Sequence, residues 1–207
     1  MFRRITVFLL FLGLSCSDMI FERSSADYFP LVTGSEWKYL VGETTTYVRV
    51  TGDSSIGNRS CTVVTVDFMP EFWFKEPCEI HKFFYRTISR GGSEWTLESR
   101  YGSVYRLPFV AANSWQDLFQ DTVLVLGDTI LYYHRLEANV TKIEDVATPA
   151  GIFGQCYRLE FTEEIRAFDT TTTRFTEWLA PGIGLVKSRT GNEEKVLVEY
   201  HIGPLSE

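Results

Sequence analysis

From residue 28 onward, apolar and polar residues alternate in short runs separated by glycines, and this pattern constrains the fold more than any other feature. Such runs are typical of half-buried β-strands. The clearest are 45–50, 61–68, 80–88 and 157–168. The pair Gly91-Gly92 predicts a hairpin turn. No helical pattern reaches ten residues, and the best helical candidate is 114–121, with Ser114 as its N-cap. We therefore predict a mainly all-β fold with at most short helices.

Two pairs of segments resemble each other across the two parts of the chain. The segment "PLVTGSEW" at 30–37 resembles "PFVAANSW" at 108–115, and in each a proline stands seven residues before a tryptophan. The segment "GNRSCTVVTV" at 57–66 resembles "GIFGQCYRLEF" at 151–161, since both lead from a glycine turn through a cysteine into a strand. Repeated segments of this kind indicate an internal duplication.

The repeat predicts a single β-rich domain over 28–207 with related halves at 28–106 and 107–202. Trp37 and Trp115 should then occupy equivalent positions in the two halves. A long antiparallel sheet twists and tends to curl around what it buries. We therefore expect one curved antiparallel sheet or half-barrel.

The first residues have the pattern of an export signal. Arg3 and Arg4 precede an apolar stretch over 5–14, which is too short to cross a hydrocarbon core of ~30 Å as a helix. Residues 1–15 are therefore predicted to be a signal peptide. The segment "LGLSC" ending at Cys16 resembles the lipobox of bacterial lipoproteins. The resemblance implies that Cys16 is acylated, for example with palmitate, and becomes the mature N-terminus; the alternative is a signal-peptide cysteine that is discarded.

Acylation would anchor the mature protein through a tether over 16–27. Stable anchoring needs two or more acyl chains, because each buried methylene contributes ~0.8 kcal/mol. The membrane, reached through these chains, is thus one expected partner. By resemblance to enterobacterial sorting rules, Ser17 favours the outer membrane, with the protein facing the periplasm.

The charge of the mature chain excludes one class of partner. Removing residues 1–15 takes away two arginines and no acids, which leaves 18 basic and 27 acidic residues and a net charge of −9. A surface this acidic argues against nucleic-acid binding.

Three cysteines follow the lipobox, and an odd number cannot pair completely. We expect Cys61, Cys78 and Cys156 to be small buried residues. If 61–68 and 78–88 form a hairpin, Cys61 and Cys78 lie about 23 Å apart along the strands, too far for a disulfide. A bond from Cys156 to either of them stays open.

The chain carries no recognisable catalytic motif. His81, His134 and His201 lack metal-ligand spacing, and we interpret them as polar positions on strands. Glu163 and Glu164 are adjacent, so on a strand they point to opposite faces and cannot act on one bond; we place both on the solvated surface. We therefore expect no enzymatic activity, no metal site and no cofactor.

One segment suggests a ligand contact. In "MPEFWFKEP" at 69–77, Phe72, Trp73 and Phe74 follow one another between two prolines. Three successive side chains cannot share one face of a strand. We predict a loop whose aromatic residues either cover the sheet as a lid or contact a lipid or partner.

Three segments also carry a resemblance to a known group. "DYFPLVTGSEWKY", "ATPAGIFGQCYRLEF" and "EWLAPGIGLVKSR" occur in that order. They resemble a broad group of uncharacterised bacterial exported lipoproteins with the pattern YFPL..G..W.Y, PAG.F..C and APG.GLVK. The resemblance implies an antiparallel sheet similar to the half-barrel of lipoprotein-localisation carriers, and it implies no catalytic residues.

Two functions are consistent with these observations. The first is a lipid-anchored binding module of the cell envelope that holds an apolar ligand or partner segment. The second is a structural or assembly lipoprotein that docks other envelope proteins and has no ligand cavity. A continuous apolar cavity of several hundred Å³ would distinguish the first from the second.

Overall fold

The computed structural model describes residues 27–203. The predicted signal peptide, Cys16 and most of the predicted tether lie outside these residues. The described strands are β1 (Glu36–Val41), β2 (Thr44–Ile56), β3 (Arg59–Val66), β4 (Met69–Lys75), β5 (Glu79–Arg90), β6 (Ser93–Arg106), β7 (Ser114–Val125), β8 (Asp128–Thr148), β9 (Gly151–Arg166), β10 (Thr170–Ala180), β11 (Gly184–Thr190) and β12 (Glu193–His201).

The strands form one antiparallel sheet in the order β6-β5-β4-β3-β2-β1-β12-β11-β10-β9-β8-β7. Every neighbouring pair is consecutive along the chain except β1 and β12. The sheet curls into a nearly closed barrel, so the all-β prediction of a curved sheet or half-barrel is confirmed. Within residues 27–203, no helix is long and apolar enough to span a bilayer.

The predicted helix over 114–121 is wrong, because this segment lies in β7. Trp115 is buried there while its neighbours Ser114 and Gln116 are exposed. That alternation has the period of a strand, and its pairing with β8 overrides the capping signal at Ser114.

The interior of the barrel is lined by the alternate side chains that the sequence pattern predicts. Buried residues from most strands form one core cluster. Its members include Trp37, Tyr39, Val50, Val64, Ile80, Leu136, Val140, Leu159, Leu179 and Leu197. Each fully buried aliphatic side chain contributes about 1.5–3 kcal/mol, so burial of this face fixes the register of the strands.

The segment before β1 closes one end of the barrel. Tyr28 is buried, and its ring packs edge-on against Tyr157 at a centroid distance of 5.3 Å. The carbonyl of Asp27 accepts a hydrogen bond of 2.7 Å from Gly182 N, and its carboxylate lies 2.5 Å from Lys75 Nζ. We call this side of the barrel the plugged end.

The two halves of the sequence repeat contain six strands each, β1–β6 and β7–β12. Trp37 is the second residue of β1 and Trp115 the second residue of β7. Both are buried, and each indole donates to a carbonyl, of Ile183 at 2.7 Å and of Val104 at 3.0 Å. The second pair of repeated segments lies in β3 and β9, the third strand of each half. The placement agrees with a duplication, which stays a prediction.

Strands β6 and β7 end the sheet on either side and face each other across a seam without a backbone ladder. Side chains bridge this seam. Asp117 on β7 forms a two-point ion pair with Arg100 on β6 and accepts a hydrogen bond of 3.1 Å from Ser103 N. Trp115 adds the bond to Val104 O described above. The barrel is therefore closed by polar side chains at this one position.

The predicted loop around Trp73 is wrong, since residues Met69–Lys75 form β4. The turn before it is made by Asp67 and Phe68, which have positive φ values of 46° and 75°. Neither residue is glycine, so the sequence carries no strong turn signal there. Strand β4 separates β3 from β5, and the predicted hairpin between 61–68 and 78–88 is wrong as well.

The cysteines Cys61, Cys78 and Cys156 are all free. The prediction that Cys61 and Cys78 are not bonded is confirmed, although the hairpin from which it was drawn is wrong. Cys61 and Cys156 are buried as expected, whereas Cys78 is exposed in the turn before β5. Burial raises the pKa of the Cys156 thiol to about 11.

Candidate functional site

A cavity of about 320 Å³ lies inside the barrel, next to the plugged end. This volume falls at the lower end of the range for small-molecule pockets, about 300–1,000 Å³. Its lining is mostly apolar and aromatic. The apolar and aromatic lining residues include Phe29, Leu31, Trp37, Tyr39, Val48, Val64, Val66, Trp73, Phe84, Tyr105, Leu136 and Phe175.

Three aromatic side chains form the base of this cavity, and we call them the aromatic floor: Phe29, Trp73 and Tyr105. Ring centroids of Phe29 lie 4.7 Å from Trp73 and 5.5 Å from Tyr105, while Trp73 and Tyr105 are 6.5 Å apart. Phe29 comes from the segment that plugs the barrel, and the other two come from β4 and β6. The floor is thus an apolar surface built from three parts of the chain.

Charged side chains line the cavity above the floor. Glu71 and Lys82 form an ion pair at 2.5 Å, and Glu71 also accepts the indole N–H of Trp73 at 3.0 Å. Glu71 stands two residues from Trp73 along β4, on the side away from Lys75 and the plugged end. One such repeat along a strand is about 7 Å. The cavity therefore changes from apolar to charged over roughly that distance.

Two further ionisable groups face the cavity, Glu177 on β10 and Lys195 on β12. Glu177 accepts a hydrogen bond of 2.8 Å from Tyr105 Oη, and burial raises its pKa above the ordinary value. The ammonium of Lys195 lies 4.4 Å from the ring centroid of Tyr39, and burial lowers its pKa.

The three aromatic residues predicted as ligand contacts divide between the two sides of β4. Trp73 lines the cavity, as described, and is buried. Phe74 lies on the outer side, where its ring stacks on His81 at 4.3 Å and on the guanidinium of Arg59 at 4.3 Å. Phe72 is half-buried on that same outer side. Only Trp73 of the three thus lies where a ligand in the cavity would contact it.

A second group of ionisable residues lies inside the barrel beside the cavity, and we call it the ion cluster: Arg86, Glu98, His134 and Glu163. His134 places Nδ1 3.0 Å from both carboxylate oxygens of Glu98 and Nε2 3.0 Å from Glu163 Oε1. Arg86 lies 2.7 Å from Glu163, and Tyr132 donates to Glu98 at 2.7 Å. The side chains of His134 and Glu98 are both fully buried.

The ion cluster shifts the pKa values of Glu98, His134 and Glu163 toward their charged forms. Burial opposes ionisation of Glu98, but hydrogen bonds from His134 and Tyr132 lower its pKa. Burial also disfavours the charged form of His134, yet Glu163 and Glu98 raise its pKa. The hydrogen bond from His134 lowers the pKa of Glu163. These shifts are those of a buried ion network, whose charges stabilise one another.

The placement of Glu163 on the solvated surface was wrong, because this residue lines the cavity. His134 is a polar position on a strand, β8, as interpreted, and its side chain is fully buried. Glu98 is 36 residues from His134 along the chain, so no local spacing connects them. His81 and His201 lie on the outer side, the first stacked on Phe74 and the second exposed. Among residues 27–203, no group of three or more His, Cys, Asp or Glu has an arrangement that could hold a metal ion.

The fold and cavity together define a class: a curled antiparallel sheet around an apolar interior. A family model described as DUF3108-like matches residues 133–202, from within β8 to just past β12. No curated protein matches the chain by sequence.

Two solved structures are similar to this chain in fold. One is a candidate lipoprotein from Parabacteroides distasonis, with 15% identity and a TM-score of 0.51. The other is a candidate exported protein with a YmcC-like fold from Bacteroides fragilis, with 14% identity and a TM-score of 0.51. Each similarity covers 85% of this chain and 99% of the other. At these identities the likeness establishes a shared fold.

Proposed function

We propose that this protein is a lipid-anchored lipoprotein of the cell envelope that binds one small apolar ligand inside its barrel and performs no enzymatic reaction. The observation that carries the proposal is the cavity of about 320 Å³ above the aromatic floor. A domain that only needed a packed core would fill this space, because protein interiors are close-packed. The lipobox resemblance at Cys16, and the two structural neighbours described as a candidate lipoprotein and a candidate exported protein, support the anchor.

The proposed tether over 16–27 would join the barrel at the plugged end, where Asp27 lies. Asp27 is eleven positions after Cys16, and an extended chain of eleven steps reaches at most about 40 Å. The barrel would therefore stay within that distance of the membrane that holds the acyl chains, which we propose to be the outer membrane on its periplasmic side.

The experiment that tests binding compares two variants on neighbouring residues. Val64 lines the cavity, whereas Val63 points to the opposite side of the sheet. Val64→Phe fills part of the cavity, and Val63→Phe is the matched control with the same change in volume. Organic extracts of each purified protein are examined by mass spectrometry, and uptake of the fluorescent apolar probe N-phenylnaphthylamine is titrated.

We expect the wild type and Val63→Phe to carry an apolar molecule or to take up the probe, and Val64→Phe to lose most of that capacity. Thermal melts of both variants check that they fold. If neither the wild type nor the control holds any apolar molecule and neither takes up the probe, ligand binding is refuted.

A second candidate function, docking of another envelope protein, is favoured by one observation. Phe68 is 93% exposed and Met69 is 72% exposed, side by side at the turn between β3 and β4. Two adjacent apolar side chains in solvent are a feature of interaction surfaces. If docking is the function, changing Phe68 and Met69 to Asp should release the protein from a high-mass envelope complex, and Val64→Phe should leave the complex intact.

A further inference from the structure

Among residues 27–203, Lys195 is the basic residue lining the cavity that has no ion pair, whereas Lys82 pairs with Glu71. The side chain of Lys195 is half-buried, and its ammonium lies 4.4 Å from the ring centroid of Tyr39. Glu177, Glu71 and Asp67 attract this ammonium from beyond ion-pair distance. Partial burial of an ammonium without an ion pair is costly. A protein that keeps one inside an apolar cavity therefore offers a site for an anion.

One hydroxyl and one carboxyl lie beside Lys195 at the same level of the barrel. Ser188 on β11 is directly opposite Lys195 on one side and directly opposite Glu177 on the other. Residues paired in this way project from the same side of the sheet. Glu177 attracts Lys195 electrostatically without reaching ion-pair distance. Burial raises the pKa of Glu177 and so disfavours its charged form. This carboxyl therefore competes only weakly with an incoming anion for the ammonium of Lys195.

The position of Lys195 along the strand gives the ligand an orientation. Lys195 stands two residues before the buried Leu197 on β12, on the side away from the plugged end. One repeat of about 7 Å thus separates the Cα of Lys195, in the charged layer, from the Cα of Leu197, in the apolar layer near the floor. The ammonium itself reaches back to 4.4 Å from the ring centroid of Tyr39. A ligand that satisfies both layers has an acidic group at one end and an apolar chain at the other.

We propose that the cavity binds a single-chain amphiphile with a carboxylate head group, whose head contacts Lys195 and whose chain lies over the aromatic floor. The cavity volume of about 320 Å³ suits one such molecule. This inference rests on the proposed function, since it names the ligand class for the same cavity.

The test uses three probes of equal chain length and different head charge: decanoate, decanol and decyltrimethylammonium. Binding of each to the purified protein is measured by isothermal titration calorimetry below the micellar concentration. We expect decanoate to bind at least tenfold tighter than decanol, and the cationic probe to bind weakest. Tenfold corresponds to about 1.4 kcal/mol.

Two lysine variants assign the preference to one residue. Lys195→Met keeps the length of the side chain without its charge, and we expect it to lose the preference for decanoate while its affinity for decanol stays the same. Lys187→Met is the matched control, because Lys187 lies on the outer side over Trp178 and pairs with Glu194 at 2.9 Å. The control should keep the wild-type preference. Circular dichroism checks that both variants fold.

The outcomes separate the two proposals. If decanol binds and decanoate binds no tighter, the carboxylate head is refuted while apolar ligand binding stands. Equal preference in Lys195→Met and wild type would refute the role of Lys195. If no probe binds, the proposed function fails together with this inference. The comparison of head charges in the wild type needs no variant. It therefore decides whether the cavity prefers a carboxylate head group even if Lys195→Met does not fold.

Discussion

Replacing His134 by Ala should destabilise the protein strongly, because it removes the imidazole between the carboxylates of Glu98 and Glu163 and leaves Arg86 and Arg100 as their remaining charged partners. Glu98 is fully buried and would lose the group that lies 3.0 Å from both its oxygens. Breaking a buried pair by removing one partner costs about 3–5 kcal/mol. For a domain of this size, 1 kcal/mol shifts Tm by about 2–4 °C. We therefore expect a fall in Tm of roughly 6–20 °C.

The free energy of unfolding that His134→Ala loses should depend on pH, because His134, Glu98 and Glu163 titrate at different pH values in the folded and unfolded protein. The pKa of His134 is raised from 6.5, so its stabilisation is complete below 6.5 and disappears as the pH rises through the raised value. The pKa values of Glu98 and Glu163 are lowered from 4.5, so their contribution is present above 4.5 and disappears on acidification. The free energy contributed by the cluster is thus largest between about 4.5 and 6.5.

The assay is urea unfolding of wild type and His134→Ala at pH 6 and pH 9. We expect the difference in free energy of unfolding to be larger at pH 6. Adding Glu98→Gln to His134→Ala should recover part of the loss, because the buried charge is removed. His201→Ala, at an exposed position on β12, is the control and should change stability by no more than about 0.5 kcal/mol. A deficit below about 1 kcal/mol at pH 6, or one that grows toward pH 9, would refute the assignment of His134 as a buried cation.

Three other predictions concern the barrel wall. Trp37→Ala and Trp115→Ala should each cost about 3–5 kcal/mol in urea unfolding; a variant that unfolds like the wild type would show that its tryptophan is not core. Asp117→Ala should cost about 3 kcal/mol because the seam loses its ion pair. Amide exchange in this variant should be faster than in the wild type in β6 and β7, and more so than in β2; exchange equal to the wild type in β6 and β7 would contradict the role of Asp117 at the seam. In the native protein, iodoacetamide should modify Cys78 and spare Cys156, whose pKa is about 11; equal labelling would contradict the burial of Cys156.

Much of the strand content follows from local patterns in the chain. The alternation in 45–50, 61–68 and 80–88 and the glycine pair at 91–92 mark strands and a turn that the structure contains. The turn at Asp67-Phe68 was missed because these residues adopt positive φ without being glycine. Consequently β4 was mistaken for a loop, although its three aromatic residues alternate between the two sides of the sheet.

The candidate site was harder to predict, for a physical reason. Trp73 was identified from its aromatic neighbours, which are a local signal. Lys195 and Glu177 look like ordinary charged residues on alternating strands, and only the curling of the sheet turns them toward the interior. Their role depends on the closure of the barrel by pairs far apart in sequence, and a single sequence carries no direct signal for such pairs.

The pairing of β1 with β12 determines the order in which this protein can fold as its chain emerges from the N-terminus onward. All other strands join a neighbour that has just emerged, whereas the contact of Gly203 N with Ser35 Oγ joins residues 168 apart. Closing a loop of that length costs about 2 kcal/mol more than closing one of ~12 residues. Until the last strand arrives, β1 presents a bare edge that can pair with another chain. The protein is therefore most exposed to aggregation between the emergence of β1 and that of β12, and the arrival of β12 ends this exposure.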